Sequence, residues 1–199
     1  PAGLIDAAFT ELARIWRPIL DAFDEQGVDV CYELHPGEDL HDGHTFGMLL
    51  DKLGGHPRCN LLYDPSHLHL QHMDYVGFID HYHDRIRAFH VKDAEFVKSA
   101  HSGTFGGYQT WGDRPARFRS LGDGQIDFPA IFSRLAYHGY AGWAVVEWEC
   151  YIKHPEDGAR EAVGFVERHL LRATDAPFDA AMRPQSDAGR NRRIMGLDA

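Results

Sequence analysis

Apolar residues recur along this chain in two alternating rhythms. From 5 to 23, Ile5, Ala8, Phe9, Leu12, Ile15, Trp16, Ile19, Leu20 and Phe23 keep the i, i+3, i+4, i+7 spacing of one helix face. Gly27 ends that helix. Residues 28–34 are then almost continuously apolar, which predicts a parallel strand covered on both faces. His35-Pro36-Gly37 turns out of it, and a helix over 45–53 stops at Gly54-Gly55. The next elements predicted are a strand over 59–63, a helix over 75–83 and a strand over 86–91. Residues 93–125, rich in Gly, Ser, Arg and aromatics, break the rhythm; a loop of that length usually serves a functional role or acts as a lid. Asp127 then caps a helix with Pro129 in its first turn, which turns Ile131, Leu135 and Ala136 inward. Gly139 and Gly142 end it. A strand over 143–148 and a helix over 156–171 follow. Residues 1–171 read as one unit, and 172–199 as a polar, solvated C-terminal arm with Arg190, Arg192 and Arg193 close together.

Strands alternating with helices give an α/β fold with a parallel sheet, whose chemistry gathers at the C-terminal strand ends. Four of those ends stop at Glu33, Asp64, His90 and Glu147. A lone buried charge is costly, so four in succession point to a shared cation. Three carboxylates and one imidazole form a hard donor set. It suits Mn²⁺ best, with Mg²⁺, Co²⁺ or Zn²⁺ as other occupants. His35 shares the strand face of Glu33 and is a candidate substrate contact; Glu149 shares that of Glu147 and would support it from behind or serve as the base in its place. Asp93 is positioned to orient a ligand from behind. His69, His72, His81, His83 and His101 read as surface residues.

Composition narrows the classes. The 199 residues are 44% apolar, enough for one sizeable core. A net charge of -10, with no basic stripe beyond a few arginines near the C-terminus, argues against a free nucleic-acid binder, and no apolar run has the length of a membrane span. Cys31, Cys59 and Cys150 lie in or just after strands and read as buried thiols of a reducing, cytoplasmic compartment. The chain opens Pro-Ala-Gly, with neither Met nor a leader, which reads as a piece of a longer polypeptide.

The segments Tyr-Glu-Leu-His-Pro (32–36), Tyr-Asp-Pro-Ser-His-Leu (63–68), His-Val-Lys-Asp (90–93), Leu-Gly-Asp-Gly-Gln-Ile-Asp-Phe (121–128) and Val-Val-Glu-Trp-Glu (145–149) resemble the sugar phosphate isomerase/epimerase superfamily, the xylose-isomerase-like TIM barrels. The resemblance spans about residues 5–171. It implies a (β/α)8 barrel of which this chain supplies the last four βα units, the first four coming in cis or from another chain. It further implies a divalent ion on Glu33, Asp64, His90 and Glu147, and a carbohydrate substrate. Glu33 and Glu147 would be catalytic, moving a proton next to a carbonyl. His67 matches the superfamily's substrate-contacting histidine. Lys92, on the face of His90, would hold a hydroxyl or neutralise an enediolate, or else pair with Asp93.

One departure bears on substrate. The epimerases of this superfamily carry an Arg shortly after the ligand His, and residues 94–97 have none. The long loop offers Trp111, Arg114, Arg117 and Arg119 instead, with Trp111 and Arg119 as candidate substrate contacts. Such a loop suits a bulkier or oxidised substrate, or an oligomer contact. The leading expectation is a metal-dependent sugar or cyclitol isomerase or epimerase. The alternative is a lyase using the same proton abstraction, such as an inosose dehydratase or a 3-keto-glycoside eliminase. An endonuclease IV-like phosphodiesterase and a half-barrel with only a structural metal come behind. Open strand edges predict a homo-oligomer.

Overall fold

The computed structural model describes residues 3–171 and 187–197. The amphipathic segment forms α1, Leu4–Glu25, and Gly27 follows at a φ of 67°, a left-handed conformation that a side chain would resist. β1 is Val30–Glu33 and α2 is Gly43–Lys52. A capping box opens α2: the Thr45 N–H donates to Asp42 at 2.8 Å, and the Thr45 hydroxyl accepts from the Asp42 N–H at 3.1 Å. Then come β2 (Cys59–Tyr63), α3 (Pro65–Leu70), α4 (Tyr75–Tyr82) and β3 (Ile86–Val91). β4 (Asp93–Phe96) and β5 (Ala116–Arg119) precede α5 (Phe128–Tyr137), β6 (Ala144–Val146), α6 (Pro155–His169) and α7 (Ala188–Ile194).

β1, β2, β3 and β6 lie side by side in that order, all parallel. This is an arc of four βα units from a TIM barrel. Strand alternation sends Leu61, Tyr63, Phe89 and Val91 to the helix side, where each is at most 1% exposed. There Tyr63 packs on Phe78 and Phe89, and Phe89 on Phe132. Burying each such ring contributes roughly 2–3 kcal/mol. The opposite, concave face carries Cys31, Leu62, Ala88 and Val145. Of these, the first three are half-buried and Val145 is 45% exposed. The strands are therefore covered on one face, not two as their apolar runs predicted. Their apolar character on the concave side is that of a barrel interior left open.

Two regions differ from the sequence reading. Residues 93–125 hold an antiparallel hairpin, in which β4 pairs with β5 from Asp93↔Arg119 to Phe96↔Ala116. Short 3₁₀ turns form at Gly106–Tyr108 and Trp111–Asp113. Two four-residue strands nearly twenty residues apart are too short to show a period. Helix α3, six residues long, also leaves no periodic trace, yet it follows Asp64-Pro65 directly and so fixes the geometry of the site. In the C-terminal arm, 172–186 and 198–199 fall outside the described residues. Within the described part, Arg190, Arg192 and Arg193 lie on the exposed helix α7.

Candidate metal centre and its cleft

The last residue of β1 is Glu33, and Asp64 follows β2 directly. His90 is the penultimate residue of β3, and Glu147 follows β6. Each lies on the concave face, so sheet twist and register bring them to one point on the C-terminal rim. One donor atom from each can be chosen so that all four lie within 4.8 Å of one another. His90 Nδ1 is the hub: Glu147 Oε2 stands 2.9 Å away, Glu33 Oε1 3.2 Å and Asp64 Oδ2 3.7 Å.

Asp64 has two jobs. Its Oδ1 accepts the Ser66 N–H at 2.8 Å as the N-cap of α3, with Pro65 pre-setting the first turn. Its Oδ2 is fully buried, makes no hydrogen bond and points into the cluster. A buried carboxylate oxygen without a donor is expensive, and a cation would satisfy it. Burial pushes the Asp64 carboxyl up from its ordinary value, against the pull of His90, Ser66 and Lys92. Glu33 is held down to about 2 by its hydrogen bond to His90, helped by Asp64 and His67. Conversely, Asp64 and Glu33 raise His90 to about 10. The carboxylates thus already favour positive charge at His90 Nδ1. An orphaned hard oxygen, two further carboxylates and an imidazole fit a divalent ion.

Around this centre the structure brings together most of the other residues singled out from sequence. His67, only 2% exposed, directs Nε2 to within 3.6 Å of both Glu33 and Asp64. Burial, then the nearby positive Lys92, lowers its pKa to about 3, so the ring is neutral. The His35 ring lies 4.2 Å from it, centroid to centroid. Lys92 is also 2% exposed and ion-paired, with Nζ 3.0 Å from Glu147 and 2.9 Å from Glu149. Burial alone would lower its pKa, but Glu149, Asp64 and Glu147 outweigh that and raise it. Lys92 does not pair with Asp93.

Beyond the centre a cleft of about 320 Å³ opens between the sheet rim and the hairpin, lined by His35, His67, Trp111, Arg114, Phe118 and Glu149 among others. Lys92 Nζ lies 4.3 Å over the Phe118 ring, which ties the hairpin to the rim. A second groove, about 560 Å³, runs along the open edge of β1 and reaches Glu33 from outside.

Two expected roles do not hold. Arg119 does not face the cleft: with Arg117 it clamps Glu95, each pair at 2.7 Å, on the far side of the hairpin. Alternation along β5 turns Ala116 and Phe118 to the cleft and Arg117 and Arg119 away. Asp93 orients no ligand. It is buried and accepts backbone N–H groups from Ala94, Gly122, Gly124 and Ile126, closing the base of the loop. Sequence reasoning missed Phe118 as a cleft residue, and placing it needed the hairpin register. Of the histidines read as surface, His72, His81, His83 and His101 are exposed, while His69 is half-buried against Tyr75.

A parallel βα arc with a candidate cation site on its C-terminal rim points to the class of protein. The chain belongs to the xylose isomerase-like TIM barrel family, whose family model matches residues 2–169. An inosose dehydratase of Bacillus velezensis is 31% identical over 150 residues, covering 74% of this chain and 50% of that enzyme. Among solved structures, the 3-keto-D-glucoside 4-epimerase YcjR of E. coli superposes with a TM-score of 0.64 at 13% identity, over 84% of this chain and 56% of that one. The IOLI protein with a bound zinc atom superposes with a TM-score of 0.60 at 18% identity, over 82% and 56%. The chain spans about half the length of the curated relatives it matches. No helix among the described residues is long and apolar enough to cross a membrane.

Proposed function

We propose that this chain carries the reacting rim of a divalent-metal-dependent lyase that removes water from a polyhydroxylated cyclic ketone, a keto-cyclitol or keto-sugar. The convergence of Glu33, Asp64, His90 and Glu147 on one point carries the reading, and similarity to inosose dehydratases directs it toward elimination. Those four residues would hold the ion, Mn²⁺ by the preference of a hard, mostly oxygen donor set. A divalent ion bound there supplies Lewis-acid polarisation of the substrate carbonyl.

The chain's own residues do the rest. Glu147, held by Lys92 at 3.0 Å, takes the proton from the carbon next to the carbonyl. The C–O bond at the β-carbon then breaks, and the same proton leaves with the hydroxyl as water. Lys92, buried and charged, offsets the negative charge that builds on the substrate. Neutral His67 donates or accepts one hydrogen bond to a substrate hydroxyl, and His35 steadies its ring. Hairpin β4–β5 excludes water from one side of the cleft.

Isomerisation or epimerisation is the second reading. It is favoured by one feature: Glu33 and Glu147 approach His90 from the first and last strands of the sheet, so two carboxylates flank the same point. In that case the proton taken by one returns to carbon from the other. A phosphodiesterase reading has less support, since the described residues hold one donor cluster of this kind.

Incubating the metal-loaded protein with an inosose in D₂O separates these. Loss of water to a conjugated ketone supports the lyase. Deuterium at the α-carbon with a new epimer and no loss of water supports the isomerase. No exchange and no product overturns both. Glu147→Gln should slow whichever reaction occurs by about 10²–10⁴-fold, as expected for loss of a general base.

A further inference from the structure

Arg114 at the end of the hairpin loop is followed by Arg117 and Arg119 in β5, and of these three only Arg114 lacks an acidic partner among the described residues. Arg117 and Arg119 are both committed to Glu95. Arg114 shares the alternation of Ala116 and Phe118 and lines the cleft. Its Nε donates to the Gln109 carbonyl at 3.2 Å, and its guanidinium lies 4.7 Å over the Trp111 ring. Among the described residues its two terminal nitrogens have no hydrogen-bond or ion-pair partner. The stem is also seated: Gly106 adopts a φ of 62°, and a Cβ there would lie 2.7 Å from Arg114 Cγ. A stacked, tethered guanidinium in the wall of a cleft, with both terminal nitrogens unpaired, is the arrangement that binds a carboxylate or phosphate in bidentate fashion through its Nη1/Nη2 edge.

Charge elsewhere in the cleft fixes the orientation. At the metal end Lys92 and a bound divalent ion would already be matched by Glu33, Asp64, Glu147 and Glu149, whereas Arg114 has no acidic partner among the described residues, so an anionic substituent is drawn to Arg114. A volume of about 320 Å³ lies at the small end of the usual range for small-molecule sites, roughly 300–1,000 Å³. It suits one ring and its substituents.

We infer that Arg114, stacked on Trp111, is a specificity residue that binds an anionic substituent of the substrate, so that the ring handled at the metal centre is a keto-sugar or keto-cyclitol bearing a carboxylate or a phosphate. The inference rests on the proposed function for its carbonyl chemistry; the anion site itself stands on the hairpin geometry.

Calorimetry of the metal-loaded protein with glucose, glucuronate and glucose 6-phosphate tests it, because these ligands differ only at one end and none need react. Glucuronate or glucose 6-phosphate should bind at least tenfold more tightly than glucose. That preference should fall to within twofold in Arg114→Gln, and weaken as salt is raised. Preference for glucuronate assigns a carboxylate, and preference for glucose 6-phosphate assigns a phosphate. In Arg114→Lys a point charge should keep part of a phosphate preference and lose most of a carboxylate one. No anion preference in the unaltered protein, or a preference undiminished in Arg114→Gln, overturns the inference. Circular dichroism and metal content of Arg114→Gln show that the comparison is made on folded, loaded protein. The D₂O experiment, run on an uncharged inosose and on a keto-sugar acid, reports separately on the reaction: failure with both and an intact anion preference would sink the elimination and leave the Arg114 site standing.

Discussion

At the scale of single residues, two histidines of the rim, His67 in α3 and His90 in β3, are pushed in opposite directions, and each gives a measurable pH dependence. His90 is raised to about 10 in the protein without metal, through Asp64 and Glu33. Its stabilisation is therefore full below its unfolded value of about 6.5 and is lost as pH rises from there to about 10. At neutral pH the imidazole is protonated, and an ion binding at Nδ1 must displace that proton. Calorimetry in buffers of different ionisation enthalpy should show one proton released per ion, with affinity rising up to tenfold per pH unit from about 6.5 to 10. His90→Gln should abolish the release and most of the affinity. Release near zero in the unaltered protein would refute His90 as a ligand. His67 runs the other way. It is lowered to about 3 by burial, so its neutral form contributes stability fully above about 6.5, lost as pH falls toward 3, at up to about 1.4 kcal/mol per pH unit. His67→Gln should flatten the acid limb of a melting-temperature profile; an unchanged limb would assign acid sensitivity to other groups.

At the scale of elements, the loop that bears the cleft's outer wall hangs on Asp93. Four backbone N–H groups end on its two oxygens. Asp93→Ala leaves several of them buried without an acceptor, and should cost about 3 kcal/mol or more, read as a lower melting temperature and faster amide exchange at Gly122 and Gly124. Gly124→Ala should mimic it, because a Cβ there would collide with Asp93 and with the Ala94 carbonyl. Exchange rates left unchanged by either substitution would contradict this anchoring. The sheet and the four side chains that meet on its rim were legible in sequence because each strand announces itself by an apolar run ending in a charged or imidazole side chain. Val-Val-Glu at 145–147 is readable without any tertiary knowledge. The hairpin was not legible. Asp93 looks like a neighbour of the metal ligands, and only the fold turns it toward the amides of residues 122–126. Arg119 likewise looked like an arginine over the cleft, until pairing with β4 set which side of the strand it occupies. Helix α3 hid behind the opposite problem, since six residues are fewer than two helical turns.

At the scale of the whole molecule, the arc has two free margins. β1 and β6 each have a neighbour on one side only, and α1 leaves Leu4, Ile5, Ile15, Ile19 and Phe23 largely exposed. Trp143 is 84% exposed beside β6. Unpaired strand margins flanked by apolar side chains recruit further strands. In a barrel of this family the other βα units cover them. Expressed as this chain alone, the protein should associate with itself in a concentration-dependent way, seen by sedimentation velocity, and Cys31→Lys on β1 should weaken that association. A stable, monodisperse monomer across the accessible concentrations would show that these margins are satisfied locally.

The concentration of every proposed donor on one arc has a consequence for how such barrels can diversify. Glu33, Asp64, His90 and Glu147 come from four successive βα units, so the proposed cation site would be inherited as a block. The complementary arc can then be exchanged by recombination without dismantling the centre. A chimera joining this chain to the complementary arc of a related barrel should therefore bind any ion that the four proposed donors hold as this chain does, read as metal content after dialysis; loss of that metal would show that the other arc contributes to the centre.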